Sequence, residues 1–423
     1  MSGASPAIGD PPTGSGDRPR TGACPTGAGD RGASYAMSDV RRVEGAIDAE
    51  RLARAIDRVA ARHEAMRIGF EEDGTAQNCV ERATPMLSTT TLCDAAPGEV
   101  EALLSRFAQR PVDMVSPSLF RFQLIQTGEA AYLQATAPHA VVDGWSFEVL
   151  WAELSSFYLG SEEDGAVREP ASFLEFARSK RKEEDARFEA NEALWRPRLD
   201  RVWQSSGRMI DGAQPFAPVT RVDHLPQGPL AGLRELSRSS RSTMNTAALS
   251  AVAVASSLLM AAPRAIVMAS RTGQPAFCPG KSLIGFCVDL LPVIVELPDD
   301  STLMDVTRDV QQQLVAGADT VSGLYQVLPE RRYRQRPAIF LAFEYSEEIP
   351  GTLFGAPATP LSLPHERIPH PALITVEKHS DGIEIISAVS QESALAPYAA
   401  DLAVRVEQIL ADPTVPLGEL RRR

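Results

Sequence analysis

The chain is poor in the residues that build metal centres and disulfide frameworks. Its five cysteines, Cys24, Cys79, Cys93, Cys278 and Cys287, are odd in number and scattered. No two stand at metal-ligand spacing, which excludes a zinc site and a set of disulfides as organising principles. No apolar run is long enough to span a bilayer. The sequence also lacks a Gly-x-x-x-x-Gly-Lys-Ser/Thr phosphate loop and a dinucleotide fingerprint, so it is not expected to activate its own substrate with ATP. A net charge of −13 argues against nucleic acid and anionic membranes as partners. A cytoplasmic protein is the expectation. Six histidines in 423 residues are enough for one to fall in a short motif by chance.

What is present is a hydrophobic content of 44%, enough for a sizeable core, spread over a length that suits a two-lobed unit. Residues 1–34 are rich in Gly, Pro, Ser, Asp and Arg without an apolar signal core, and predict a disordered tail. Residues 35–170 predict a first lobe, 171–228 a connector built on a long charged helix anchored by Trp195, and 229–423 a second lobe. Helices are expected at 49–60, 98–107, 230–237, 245–260, 303–316 and 396–410 from apolar spacing. Strands are expected at 66–70, 76–80, 119–125, 131–137, 265–270, 288–296, 339–345, 372–378 and 383–389. The periodicities alone describe an α/β or α+β fold in two lobes.

The most informative stretch is Pro138-His139-Ala140-Val141-Val142-Asp143-Gly144-Trp145-Ser146. An apolar strand precedes it and helical spacing follows, so His139 sits on a strand-to-helix loop, where a scaffold holds a side chain rigid but accessible. Histidine titrates nearest neutrality and suits proton transfer. Gly144 is read as a residue whose backbone angle a Cβ would forbid. A histidine bonded to a backbone carbonyl beside an Asp-Gly turn explains the bare motif about as well.

The nine residues resemble the core motif of the condensation domains of nonribosomal peptide synthetases, within the chloramphenicol-acetyltransferase-like acyltransferases. Three further segments are similar to that family in the same order: Arg62 to Phe70, Ala269 to Thr272 with Leu283 to Pro292, and Ala338 to Tyr345. Together they cover about residues 36 to 415. The resemblance implies an α/β fold of the α+β sandwich type, with two chloramphenicol-acetyltransferase-like lobes in a V shape and an active-site tunnel between them. It implies that His139 is catalytic and that Asp143 forms a structural ion pair with Arg271. It implies that the N–H of Gly144 or Trp145 faces an oxyanion, and that Trp145, Gly285, Asp289, Phe343 and Tyr345 are placed along the tunnel. Core packing is the competing reading for Phe343, Tyr345 and Gly285; simple packing for Trp145 and helix capping for Ser146 are preferred. His63 reads as a structural residue beside Glu64, and His365, His370 and His379 receive no role.

Three features depart from the family pattern. Pro138 replaces the first of two adjacent histidines, Asp289 replaces an asparagine, and the opening Ser-x-x-Gln-x-Arg-type helix has no counterpart. The implied reaction is formation of an amide, or an ester, by a free-standing, monomeric enzyme of natural-product biosynthesis such as antibiotic biosynthesis. The donor is an acyl thioester on the phosphopantetheine arm of a carrier protein acting in trans; the acceptor is a small amine or alcohol. No bound cofactor and no metal are expected. Arg331-Arg332-Tyr333-Arg334-Gln335-Arg336 is a candidate docking patch, with a solvated loop as its competitor. A coenzyme-A-dependent acyltransferase and a non-catalytic recruitment domain are the alternatives.

Overall fold

The computed structural model describes residues 36–71, 77–93, 96, 98–161, 167–205, 208–211, 216–262, 264–272, 280–317, 335–337, 340–347, 351–365, 367–368 and 370–422. In chain order the first half runs β1 (Ala36–Glu44), α1 (Ala49–Arg62), β2 (Ile68–Phe70), β3 (Gln77–Cys79), β4 (Met86–Thr91), α2 (Glu99–Ala108), β5 (Arg121–Gln126), β6 (Ala130–Pro138), α3 (Gly144–Leu159) and α4 (Phe173–Ser205). The second half runs β7 (Met209–Asp211), β8 (Pro218–Pro226), α5 (Gln227–Ser240), α6 (Met244–Leu259), β9 (Arg264–Thr272), β10 (Val288–Glu296) and α7 (Leu303–Gly317). It continues with β11 (Gln335–Pro337), β12 (Phe340–Glu347), β13 (Gly351–Leu353), β14 (Ala356–Pro360), β15 (Ala372–Lys378), β16 (Gly382–Ser390), α8 (Leu402–Ala411) and α9 (Leu417–Leu420).

Two six-stranded mixed sheets organise the molecule, in the orders β13-β14-β1-β6-β5-β4 and β10-β9-β12-β15-β16-β8. β6 lies inside the first sheet, which explains its composition. Leu133, Ala135 and Ala137 pack into the core beneath α1 and α3, while Gln134 on the other face donates to the Leu104 carbonyl of α2. α1 is amphipathic, with Leu52, Ile56 and Val59 buried, and its Asp48 cap accepts from the Arg51 N–H. α6 is buried along nearly its whole length, because α5, α7, α8 and the second sheet surround it. No single helix among the described residues is long and apolar enough to cross a membrane.

The division of the chain differs from the sequence expectation at two places. β8, inside the predicted connector, is the edge strand of the second sheet, pairing with β16 from Pro218 to Pro226. The hairpin β13–β14 comes from the second half of the chain yet extends the first sheet, pairing antiparallel with β1. Its Leu353 and Phe354 join the first core, and the Phe354 N–H donates to Ser155 Oγ at 2.8 Å. Neither strand has a strong apolar alternation, so both depend on a distant partner. Of the candidate docking patch at 331–336, residues 331–334 and the side chains of Gln335 and Arg336 lie outside the described residues, as do Cys24 and Cys278.

Phe354 also packs against Tyr158, the rings tilted by 52° with centroids 4.6 Å apart. Phe354→Ala is expected to cost about 3 kcal/mol of stability, read by chemical denaturation. Faster hydrogen exchange confined to residues 351–360 and β1 will show that the hairpin is the element released.

Candidate active site

β6 ends at Pro138, and a turn closed by the Val141 N–H on the Pro138 carbonyl (3.0 Å) carries His139 before α3 begins. The His139 Nδ1 lies 2.8 Å from the Val142 carbonyl. A carbonyl only accepts, so Nδ1 carries the proton and Nε2 is left as the basic nitrogen of the neutral ring. The ring is partly buried and meets Phe286 edge-on with centroids 5.0 Å apart. Burial pushes the His139 pKa below the ordinary histidine value, against the opposing pull of the Val142 carbonyl and the Asp143 carboxylate.

Asp143 is fully buried. Its Oδ1 accepts from the Ser146 N–H (2.8 Å) and the Ser146 hydroxyl (2.7 Å), and its Oδ2 accepts from the Cys287 N–H (3.0 Å). Asp143 is thus the N-cap of α3 and at the same time a clasp onto the segment leading into β10. Ser146 completes the clasp: its hydroxyl contacts the Gly285 carbonyl (2.9 Å) and accepts from the Gly285 N–H (3.0 Å). The expectation that Ser146 caps the helix is corrected, because Asp143 caps it and Ser146 joins two segments 139 residues apart. The side chains of Arg271 and Asp289 lie outside the described residues; their backbones face each other in the β9–β10 ladder.

Gly144 is the first residue of α3, has no positive φ, and a Cβ built on it meets nothing within 4 Å. The backbone argument made for it from sequence therefore fails. Gly144 and Trp145 are exposed at the helix start, Trp145 by half, so packing does not account for Trp145. Helix geometry supplies no partner for their N–H groups, and the helix dipole adds positive potential there.

Gly285 is close-packed: a Cβ there falls 2.1 Å from the Phe173 ring. Phe343 is buried in the core under α5–α8, and Tyr345 packs against that core with its hydroxyl donating to Glu347 at 2.9 Å. Strand alternation turns Ala342 and Glu344 to the opposite face, so the aromatic residues named from sequence lie one residue out of register with that face.

Glu153 is a residue that sequence reasoning missed. It is buried and accepts from Arg62 Nε (3.0 Å), His63 Nε2 (3.1 Å) and Ser282 Oγ (2.8 Å), tying α1, α3 and the residues before β10 together. Burial raises its pKa, but these donors outweigh burial and hold it below the usual value. His63 is therefore structural, with Glu153 as its partner. Glu64 instead accepts from Ser172 Oγ and the Leu174 N–H. A glutamate inside the apolar stripe of α3 was the available signal. Among the described residues no cluster of His, Cys, Asp and Glu could hold a metal ion.

The profile of the Condensation domain family matches residues 28–340. The chain belongs to the condensation-domain family. It is 24% identical over 415 residues to the chondramide synthase cmdD of Chondromyces crocatus, covering 92% of this chain and 10% of that protein. It is 24% identical over 347 residues to the isonitrile lipopeptide synthase of Mycobacterium tuberculosis, covering 75% and 14%. The chain thus matches a small part of each curated relative. Among solved structures, SgcC5 of Streptomyces globisporus superposes with a TM-score of 0.74 at 18% identity, covering 93% of this chain and 96% of that one. The first condensation domain of the calcium-dependent antibiotic synthetase, bound to a substrate analogue, gives 0.74 at 16% identity, covering 92% and 94%. The X-domain in complex with OxyB from teicoplanin biosynthesis gives 0.69 at 19% identity, covering 91% and 90%. These likenesses establish the chloramphenicol-acetyltransferase-like fold.

Ser146→Ala removes the hydroxyl shared by Asp143 and the Gly285 backbone while leaving the helix cap. Leaving those buried groups unpaired is expected to cost about 1–3 kcal/mol, measured by chemical denaturation. Gly285→Ala is expected to destabilise as well, since the Phe173 ring must move.

Proposed function

We propose that this condensation domain joins an acyl thioester, presented on the phosphopantetheine arm of a carrier protein, to an amine or hydroxyl acceptor. The observation that carries this reading is the state of His139: a neutral imidazole with its tautomer set by the Val142 carbonyl, beside the open N-terminus of α3. The acceptor's nitrogen or oxygen attacks the thioester carbonyl as its proton passes to His139 Nε2. The new C–N or C–O bond forms, the carbonyl oxygen takes the developing negative charge, and the N–H groups of Gly144 and Trp145 face it. Collapse breaks the C–S bond, and the proton on Nε2 returns to the departing thiolate. Asp143 is a positioning residue that keeps the helix start and the 285–287 segment in place. Its carboxylate is satisfied by three donors and takes no part in proton transfer. The ion pair with Arg271 remains part of this proposal.

Turnover tests the reading directly. Carrier proteins loaded with candidate acyl groups are mixed with pooled amines and alcohols, and products are followed by mass spectrometry. Wild type is expected to form product and His139→Ala to lose at least a hundredfold of it. The replacement of the first motif histidine by Pro138 favours the second reading, a recruitment domain like an X-domain. It prevails if both proteins bind a loaded carrier and neither turns over.

The pH profile supplies a further check. Because the folded pKa of His139 is lowered, the basic form persists below the usual histidine range. With a hydroxyl acceptor, which does not titrate in this range, kcat/KM is expected to stay level as pH falls from 7.5 and to decline only below about 6.5, the unperturbed histidine value. A decline already centred above pH 7 contradicts the burial argument.

A further inference from the structure

The side chain that brings the second half of the chain to His139 is Phe286. The two rings meet at 88° with their centroids 5.0 Å apart. Phe286 belongs to the segment 282–287, in which every other residue is buried and Phe286 alone is partly exposed. Leu283 and Ile284 sink fully into the first core, whereas Phe286 packs on its border.

The place of Phe286 is fixed from both sides. The Gly285 N–H and carbonyl contact Ser146 Oγ at 3.0 and 2.9 Å, and the Cys287 N–H donates to Asp143 Oδ2 at 3.0 Å. Further back, Ser282 Oγ donates to Glu153 Oε1 at 2.8 Å, and the Ser282 backbone bonds Glu169 and Ala171. Gly285 is wedged against Phe173, where a Cβ would fall 2.1 Å from the ring. The backbone on either side of Phe286 is thus bonded to the start of α3, the helix that follows the His139 loop. A side chain locked in this way by its own backbone can hold a reacting group in a narrow range of positions.

His139 needs such a hold. The hydrogen bond from Nδ1 to the Val142 carbonyl fixes one corner of the imidazole and leaves it free to swing about that bond. Phe286 limits the swing, and its apolar ring displaces water from one side of the imidazole. Loss of that water disfavours the imidazolium, in agreement with the lowered His139 pKa, for which burial is the largest cause. The charged group facing His139 among the described residues is the Asp143 carboxylate, which favours the imidazolium and acts against burial.

We infer that Phe286 is a positioning residue: its ring, held by the clasp on Asp143 and Ser146, keeps water off the imidazole of His139 and fixes the direction in which Nε2 meets the acceptor. The inference rests on His139 as the base of the proposed reaction.

The test reads His139 without turnover. The full chain is labelled with isotopic histidine, and the Cε1–H signal of His139 is identified by its loss in His139→Gln. Its titration midpoint is then followed by NMR against pH. Wild type is expected to titrate below about 6.5. Phe286→Ala is expected to raise the midpoint by about one pH unit and Phe286→Val by about half as much, because water reaches the ring. Phe286→Tyr, which keeps the aromatic ring, is expected to restore the wild-type midpoint. In the carrier-loaded assay with a hydroxyl acceptor, Phe286→Ala is expected to lower kcat about tenfold while KM for the acceptor stays the same. A midpoint unmoved or lowered in folded Phe286→Ala overturns the inference, and Phe286→Val decides in the same way where the alanine variant does not fold. A fall in melting temperature with an unmoved midpoint marks Phe286 as a packing residue only and equally overturns it. A raised midpoint in a protein whose wild type forms no product counts against the condensation reading and supports the hold of Phe286 on His139.

Discussion

The arrangement of this site depends on one buried carboxylate. Asp143 has no exposure to water, and a charge in that position is tolerated only when donors surround it. Three do, two from Ser146 at the start of α3 and one from the Cys287 backbone at the entrance to β10. The same atoms that stabilise the charge also hold together a helix from the first half of the chain and a strand from the second. His139 lies four residues before this clasp, and Phe286, the residue beside Cys287, packs on its ring. The geometry of the loop is thus tied to the junction of the two sheets.

Other contacts reinforce that junction without taking part in it. Glu153 gathers Arg62, His63 and Ser282, and a short backbone exchange links Ala171 and Glu169 to Ser282. The β13–β14 hairpin adds strands from the second half to the edge of the first sheet. Glu153 and Ser282 join the halves of the chain through buried side chains, and the hairpin joins them through backbone pairing with β1. Polar groups buried in this way lose their hydration, so each needs a partner.

Charge inside the first sheet shows the same economy. Asp39 and Arg41, two residues apart on β1, turn toward α3, where Arg41 reaches Glu148 and Asp39 accepts from Trp151 Nε1 at 2.7 Å. Burial raises the Asp39 pKa, against the opposing effects of Arg41 and Trp151. This inward pair also hid the strand, because it breaks the apolar alternation by which a buried strand is read. β8 and β14 were illegible for a related reason: as strands at or near a sheet edge they bury little and carry prolines and polar residues.

Local pattern was enough for the elements that bury a full face. The α1 stripe, the apolar α6, the β5–β6 pair and the strands at 288–296 and 372–378 were all legible, because apolar spacing reports burial directly. The motif from Pro138 to Ser146, with three other segments in order, was enough for the family and hence the fold. What the tertiary structure alone decided was which atoms meet. The donors to Asp143 come partly from a backbone 144 residues away, and His63 bonds Glu153 rather than its sequence neighbour. Phe343 and Tyr345 look like tunnel residues in sequence, yet a strand sends alternate side chains to opposite faces, and only the packed helices reveal which face is core. Periodicity encodes how much of a segment is buried; the partner and the side are set by chain segments far apart that fold together.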